Sequence, residues 1–201
     1  MRAYPDCLLA PLSACLLLAA APAQAGDRVS FLPVGAVADA PAGFIDMCER
    51  VADACKADGD GDVALPDAAA MPGTAKAHRA EWSMIAALNR AVNRRIVQRS
   101  DEDVHGAVDR WTRAVDAGDC EDIALEKQAE LIGAGIDPRR LRLAIVYDRW
   151  VGLHAVLIVT TARGDMVLDN RISHLVRWDR AGYRWLRVQS AANGRTWNVI
   201  A

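Results

Sequence analysis

Three side chains in this sequence have the types and the order that covalent catalysis needs: Cys120 in "GDCEDIALEKQ", His154 in "HAVLIVTT" and Asp169 in "DMVLDN". In such a set a thiolate attacks a carbonyl carbon, an imidazole moves the proton, and a carboxylate fixes the imidazole's tautomer and orientation. Each residue also has an ordinary alternative: Cys120 as a small apolar filler, His154 as a half-buried strand residue, Asp169 as a strand end. A thiol at a helix start followed by the other two on neighbouring strands is much harder to reach by accident.

The elements that must place them follow from local pattern. Gly118 interrupts the chain and Asp119 is a good N-cap. "CEDIALEKQAELIGAG" then runs on with Ile123, Leu125, Leu131 and Ile132 apolar, until Gly133 or Gly135 ends the helix before Pro138. Cys120 therefore lies in the first turn, where unpaired N–H groups and the helix dipole favour a thiolate and can receive the oxyanion of a tetrahedral intermediate. Downstream, "LRLAIVY", "HAVLIVTT", "DMVLDN" and "YRWLRVQ" read as strands. Gly164 and Asp165 in "TARGDM" mark a hairpin turn. A turn near Ala162-Arg163 makes residue 171 the partner of His154 and puts Asp169 at the diagonal position on the same face, about 7 Å away.

Upstream, Trp82, Ile85, Leu88, Val92 and Ile96 recur at threes and fours, which predicts a helix from about Ala75 to Arg99. Asn89 and Asn93 share one face of it and suit the capping or bridging of loops. A short helix is expected over Phe44 to Ala54, after an extended lead-in over residues 26 to 43 that is rich in Gly, Pro and Ala. Residues 101 to 117 read as a turn and an irregular stretch, whose Trp111 suits the core or the wall of a cleft. In "KADGDGDVALPD", Asp58, Asp60 and Asp62 alternate, but Val63 stands where an EF-hand needs glycine and Ala69 where it needs glutamate. That segment is expected to be a polar loop.

Compartment decides what a cysteine means. "MRAYPDCLLAPLSACLLLAAAPAQA" has one early positive charge, an apolar run and a small-x-small end at Ala23-Gln24-Ala25, the form of a secretory signal over residues 1 to 25. Leu12-Ser13-Ala14-Cys15 resembles a lipoprotein box, yet the chain stays apolar after Cys15 where a lipoprotein turns polar. No other stretch approaches the roughly 20 apolar residues of a membrane span. Signal removal leaves Cys48, Cys55 and Cys120, and in an oxidising compartment an odd count leaves a thiol over. Cys48 and Cys55 are the natural pair only if a helix breaks between them, since two unbroken turns hold the Cα atoms about 10 Å apart. Two separate thiols are the alternative.

The remaining chain suits one domain, over residues 44 to 201. Arg2 and Asp6 cancel, so the formal charge stays at −2 and asks for neither nucleic acid nor an anionic membrane. "NRRIVQR" is basic but lies on an amphipathic helix as a solvated face.

"GDCEDIALEKQAELIGAGI", "LRLAIV", "HAVLIVTTARGDMVLDN" and "YRWLRVQS" together resemble the bacterial transglutaminase-like cysteine peptidases, a family with a LapG-type periplasmic branch. The resemblance runs from about Cys48 to Trp197. It implies an α+β fold of papain and transglutaminase type, with the cysteine-bearing helix packed on an antiparallel sheet that carries His and Asp. It also implies Cys120 as nucleophile, His154 as general base and acid, and Asp169 as the residue orienting the imidazole. Calcium beside the nucleophile, held by Asp119 and Glu121, is a further implication, and crowded anions that would otherwise raise the thiol's pKa give it a physical motive. The partners implied are a cell-envelope protein substrate, in one branch a large surface adhesin, and an inner-membrane receptor responsive to cyclic-di-GMP. The expected activity is that of an exported cysteine endopeptidase. Acyl transfer to an amine and a non-catalytic domain that binds envelope polypeptide are the alternatives.

Overall fold

The computed structural model describes residues 29–51, 55 and 71–201. The signal segment with its Cys15 box, the start of the lead-in, the loop with Asp58, Asp60 and Asp62, and the expected end of the first helix lie outside the described residues.

Among the described residues, nine strands and four α-helices follow in order: β1 (Val34–Ala38), α1 (Ala42–Arg50), α2 (Ala75–Arg95), β2 (Val97–Gln98), α3 (Asp101–His105), β3 (Ala117–Gly118), α4 (Cys120–Gly133), β4 (Leu141–Asp148), β5 (Gly152–Thr161), β6 (Gly164–Leu168), β7 (Val176–Arg177), β8 (Arg184–Gln189) and β9 (Trp197–Ile200). Seven strands form one antiparallel sheet in the order β1-β9-β8-β4-β5-β6-β7. The helices pack on one face of it, which makes the fold α+β. β5 lies inside the sheet and is buried on both faces, so its sequence is a continuous apolar run rather than an alternation.

Alternate residues of β5 feed two cores. Leu157 and Val159 point into a cluster with Phe44, Ile85, Leu125 and Leu131 under the helices. Val156 and Ile158 point the other way, to Leu32, Val146, Val167 and Val188, a cluster edged by Trp178, Tyr183 and Trp185. Each such side chain, taken fully out of water, contributes about 1.5–3 kcal/mol.

Several expectations are revised. The lead-in is not simply a surface strap: residues 34–38 are an edge strand paired with β9, and α1 begins at Ala42. β1 and β9 were not legible because each is short and without a clear period of two. α1 ends at Arg50, and the break lets Cys48 and Cys55 join in a disulfide with Cα atoms 5.4 Å apart. Residues 101–105 form α3, capped by Ser100 accepting from the Asp103 N–H.

Asp165 is not a turn residue. The turn is Ala162-Arg163, and Asp165 lies fully buried in β6, paired with buried Arg142 at 2.5 Å. Its carboxylate also accepts from Thr160 Oγ1 at 2.6 Å and from the Leu32 N–H at 2.9 Å. Gly164 stands next to it at φ +100°, and a Cβ there would meet Ser30 O at 2.3 Å. Only glycine lets the N-terminal segment come so close. The charge in "TARGDM" thus anchors the segment at Leu32 to the sheet, a contact that local turn chemistry cannot reveal.

Candidate active site

The chain reaches Cys120 along a pinned path. β2, directly after α2, pairs in parallel with β3, directly before α4, through Val97 with Ala117 and Gln98 with Gly118. The Arg99 N–H closes the join on Gly118 O at 3.0 Å. A Cβ on Gly118 would lie 2.7 Å from that of Asp122, so glycine permits the close approach of strand to helix start. α4 then opens at Cys120 as expected, but Asp119 makes no side-chain cap hydrogen bond. Its carboxylate groups instead with those of Asp101 and Glu121.

β5 meets this helix start where β6 ends. β6 pairs with β5 only as far as Leu157 with Leu168, and beyond that limit the Ala155 N–H donates to Cys120 Sγ at 3.4 Å. Cys120 and His154 line one cleft of about 530 Å³, together with Trp111, Leu153, Asp119 and Glu121. Trp111 is both a core residue, 3% exposed, and part of the cleft wall.

His154 Nε2 and Asp169 Oδ1 are 3.0 Å apart, and both residues are buried. The β5–β6 register is the one that pairs residue 171 with His154, so the expected diagonal placement of Asp169 holds. With Nε2 engaged, Nδ1 is the ring nitrogen left for proton transfer. Asp169 Oδ1 also accepts from the Arg171 N–H at 2.9 Å, and Oδ2 accepts from the Tyr183 hydroxyl. Burial raises the Asp169 carboxyl, but the hydrogen bonds from His154, Tyr183 and Arg171 outweigh it and hold the group below the ordinary range. Tyr183, whose ring centroid is 6.0 Å from that of His154, was missed in the sequence because it looked like the first residue of a strand. Asn93 Nδ2 donates to Asp169 O at 2.8 Å and Asn89 Nδ2 to Ile172 O at 3.1 Å. The two asparagines bridge a loop as expected, and the loop is the one that carries Asp169.

The thiol departs from expectation. Burial first, then the charge of Glu121, push Cys120 well above the usual thiol range, and Sγ donates to Glu121 Oε2 at 3.0 Å. The helix dipole is the weaker influence, because the carboxylate is in contact while the dipole is spread over the first turn. Glu121 is itself pushed up to about 8, by burial and then by Asp119. Burial likewise raises Asp119 and takes Asp122 up to about 7.

Asp119, Glu121 and Asp101 offer oxygens that all lie within 4.8 Å of one another. Asp101, which the sequence reading did not single out, is 2% exposed, and its acidic run after Ser100 resembles ordinary helix capping. Oδ1 of Asp101, Oδ1 of Asp119 and Oδ2 of Asp122 are buried without a hydrogen-bond partner among the described residues. Asp101, His105 and Asp122 make a second grouping around the same Asp101. Buried carboxylate oxygens left unpaired this close together suit a hard divalent cation.

Solved structures to which this chain is similar include LapG of Legionella pneumophila. Its calcium-bound form is 19% identical, with a TM-score of 0.46 over 67% of this chain and 83% of that one. The EGTA-treated form is 19% identical, with a TM-score of 0.43 over 60% and 76%. A third LapG structure is 20% identical, with a TM-score of 0.42 over 62% and 78%. Comparison with curated proteins gives no match. The pattern of the bacterial transglutaminase-like cysteine proteinases (BTLCP) matches residues 34–201, nearly all of the described chain. By that match this chain, with its unpaired thiol at a helix start beside a buried histidine and aspartate, belongs to the bacterial transglutaminase-like cysteine proteinase family and is a cysteine peptidase.

Proposed function

We propose that Cys120, His154 and Asp169 are the catalytic triad of an exported endopeptidase that acts on cell-envelope polypeptides. The observation that carries the reading is the bond from the His154 imidazole to Asp169 at 3.0 Å, in a histidine that shares its cleft with the free thiol. His154 Nδ1 takes the thiol proton as Sγ attacks the peptide carbonyl carbon. The proton then passes to the leaving amine, and water, deprotonated by the same imidazole, hydrolyses the thioester. Asp169 stays ionised and stabilises the imidazolium. The apolar run over residues 1 to 25 supports a removed export signal and a periplasmic location, with residues 44 to 201 as the peptidase domain. No described helix is long and apolar enough to cross a membrane. By family resemblance, an extended segment of a large surface adhesin is the first substrate to try, and an inner-membrane receptor responsive to cyclic-di-GMP the first partner.

Asp101, Asp119 and Glu121 are the residues that would hold calcium. A cation held there would supply positive charge that offsets the Glu121 and Asp119 carboxylates and favours the thiolate. Glu121 in the arrangement described holds the thiol proton, so Sγ is not yet committed to His154.

The test is the alkylation rate of Cys120 against pH, by mass spectrometry, for the parent chain and His154→Ala, with calcium and with chelator. Faster alkylation of the parent chain below the ordinary thiol range, near 8.5, lost in His154→Ala, is the expected result. Identical profiles for the two proteins under both conditions would remove the triad.

A further inference from the structure

Ile123, Lys127 and Leu131 follow one another at spacings of four on α4, so a lysine interrupts an apolar stripe. Ile123 is 2% exposed, and Lys127 and Leu131 are wholly buried. Lysine is rarely buried to this degree without a partner. Yet Lys127 Nζ has no hydrogen-bond partner among the described residues. Burial brings its ammonium down to about 7, and the negative charge of Asp169 opposes that fall. An apolar side chain of similar length would be the more stable occupant of such a site. Stability therefore does not explain the lysine.

What surrounds the loop after Asp169 does. α2 packs against α4 and presents Asn89 and Asn93, whose amide nitrogens hold Asp169 O, Ile172 O and Ser173 O. The amide oxygens of both asparagines are buried and have no partner among the described residues, and the same holds for both polar side-chain atoms of Asn170, the residue next to Asp169. Two packed helices, α2 and α4, thus carry a buried ammonium with three hydrogens to give and two asparagines whose oxygens have nothing to accept, and Asn170 adds a third such amide beside Asp169. Ordered internal water commonly joins such groups.

We propose that Lys127 is a positioning residue: its ammonium, linked through internal water to the amide oxygens of Asn89, Asn93 and Asn170, fixes the Asp169 loop and places a positive charge behind the carboxylate, which keeps Asp169 aimed at His154. This rests on Asp169 orienting His154 as proposed above. Asp169 then takes hydrogen bonds from His154, Tyr183 and the Arg171 N–H, while the charge of Lys127 acts on it without a direct bond.

The test compares the whole protein with its His154→Ala, Lys127→Met and Lys127→Gln variants. Two readouts are taken: the alkylation rate of Cys120, and the far-downfield proton resonance of the His154 Nε2–H in its bond to Asp169. In Lys127→Met the protein is expected to fold, with unchanged or higher thermal stability. Its His154-dependent alkylation is expected to fall by about tenfold or more, the scale of a lost acid–base contribution, and the resonance to shift or broaden away. A filler lysine would move neither readout, so a folded Lys127→Met that alkylates at the parent rate with an unchanged resonance overturns the proposal. If Lys127→Met does not fold, Lys127→Gln is judged by the same two criteria. Failure of both to fold would make Lys127 a packing group and also overturn it. A parent chain indistinguishable from His154→Ala would instead remove the triad itself, and with it the role assigned to Lys127.

Discussion

Replacing Asp169 by asparagine isolates the charge behind His154 from the shape of the site. In the parent chain Oδ1 accepts from His154 Nε2 at 3.0 Å and from the Arg171 N–H at 2.9 Å, while Oδ2 accepts from the Tyr183 hydroxyl. An asparagine that keeps its oxygen toward His154 and Arg171 turns its NH₂ toward the Tyr183 oxygen, which can accept, so the packing survives. A hydrogen bond to a charged group contributes about 1.5–3 kcal/mol and a neutral one about 0.5–1.5. The imidazolium thus loses roughly 1–2 kcal/mol, or about 5- to 30-fold in rate. If the amide flips instead, Nε2 must accept, the ring proton moves to Nδ1, and the nitrogen needed as base is lost; a loss near 10⁴-fold is the precedent for that tautomer change. Asp169→Asn should therefore alkylate at Cys120 at least fivefold more slowly than the parent below the ordinary thiol range, with far-UV circular dichroism retained. A folded Asp169→Asn within twofold of the parent would refute the assignment of Asp169 as the orienting residue.

Two further outcomes concern stability. Burial, and after it nearby acid charge, hold Glu121 up to about 8 and Asp122 up to about 7, so the folded chain keeps protons that the unfolded chain has lost by about pH 5. Stability contributed at low pH is then lost as pH rises through 7 and 8, by an amount on the order of a few kcal/mol. Thermal melts in chelator should fall between pH 5 and 8, and calcium, which favours the ionised carboxylates, should flatten that slope; a slope indifferent to calcium would count against the cation site. Asp165→Asn leaves Arg142 buried opposite a neutral group, and urea denaturation should show a loss of about 3–5 kcal/mol, the scale for breaking a buried pair. A loss below about 1 kcal/mol would mean that water reaches Arg142.

Features that depend on neighbours along the chain were legible before the fold was known. The start of α4 at Cys120, the helical stripe of α2, the strands β4 to β6 and the relation of His154 to Asp169 all follow from a capping pattern, helical spacing, apolar runs bounded by turn residues and one turn. The disulfide was legible in part, since the spacing of Cys48 and Cys55 demanded a break in the helix and α1 ends at Arg50. Tertiary structure decided whatever depends on segments distant in sequence. It turned Asp119 from a cap into a member of an acidic group with Asp101, and Asp165 from a turn residue into the partner of Arg142. It brought Tyr183 to Asp169 and buried Lys127 with no hydrogen-bond partner for its ammonium among the described residues. It also set the sign of the effect on the thiol: the dipole that favours a thiolate belongs to the helix alone, whereas the burial and the Glu121 contact that oppose it exist only once β5 and α4 have closed the cleft. A side chain's propensity is local, but its desolvation and its charged neighbours are properties of the packed chain.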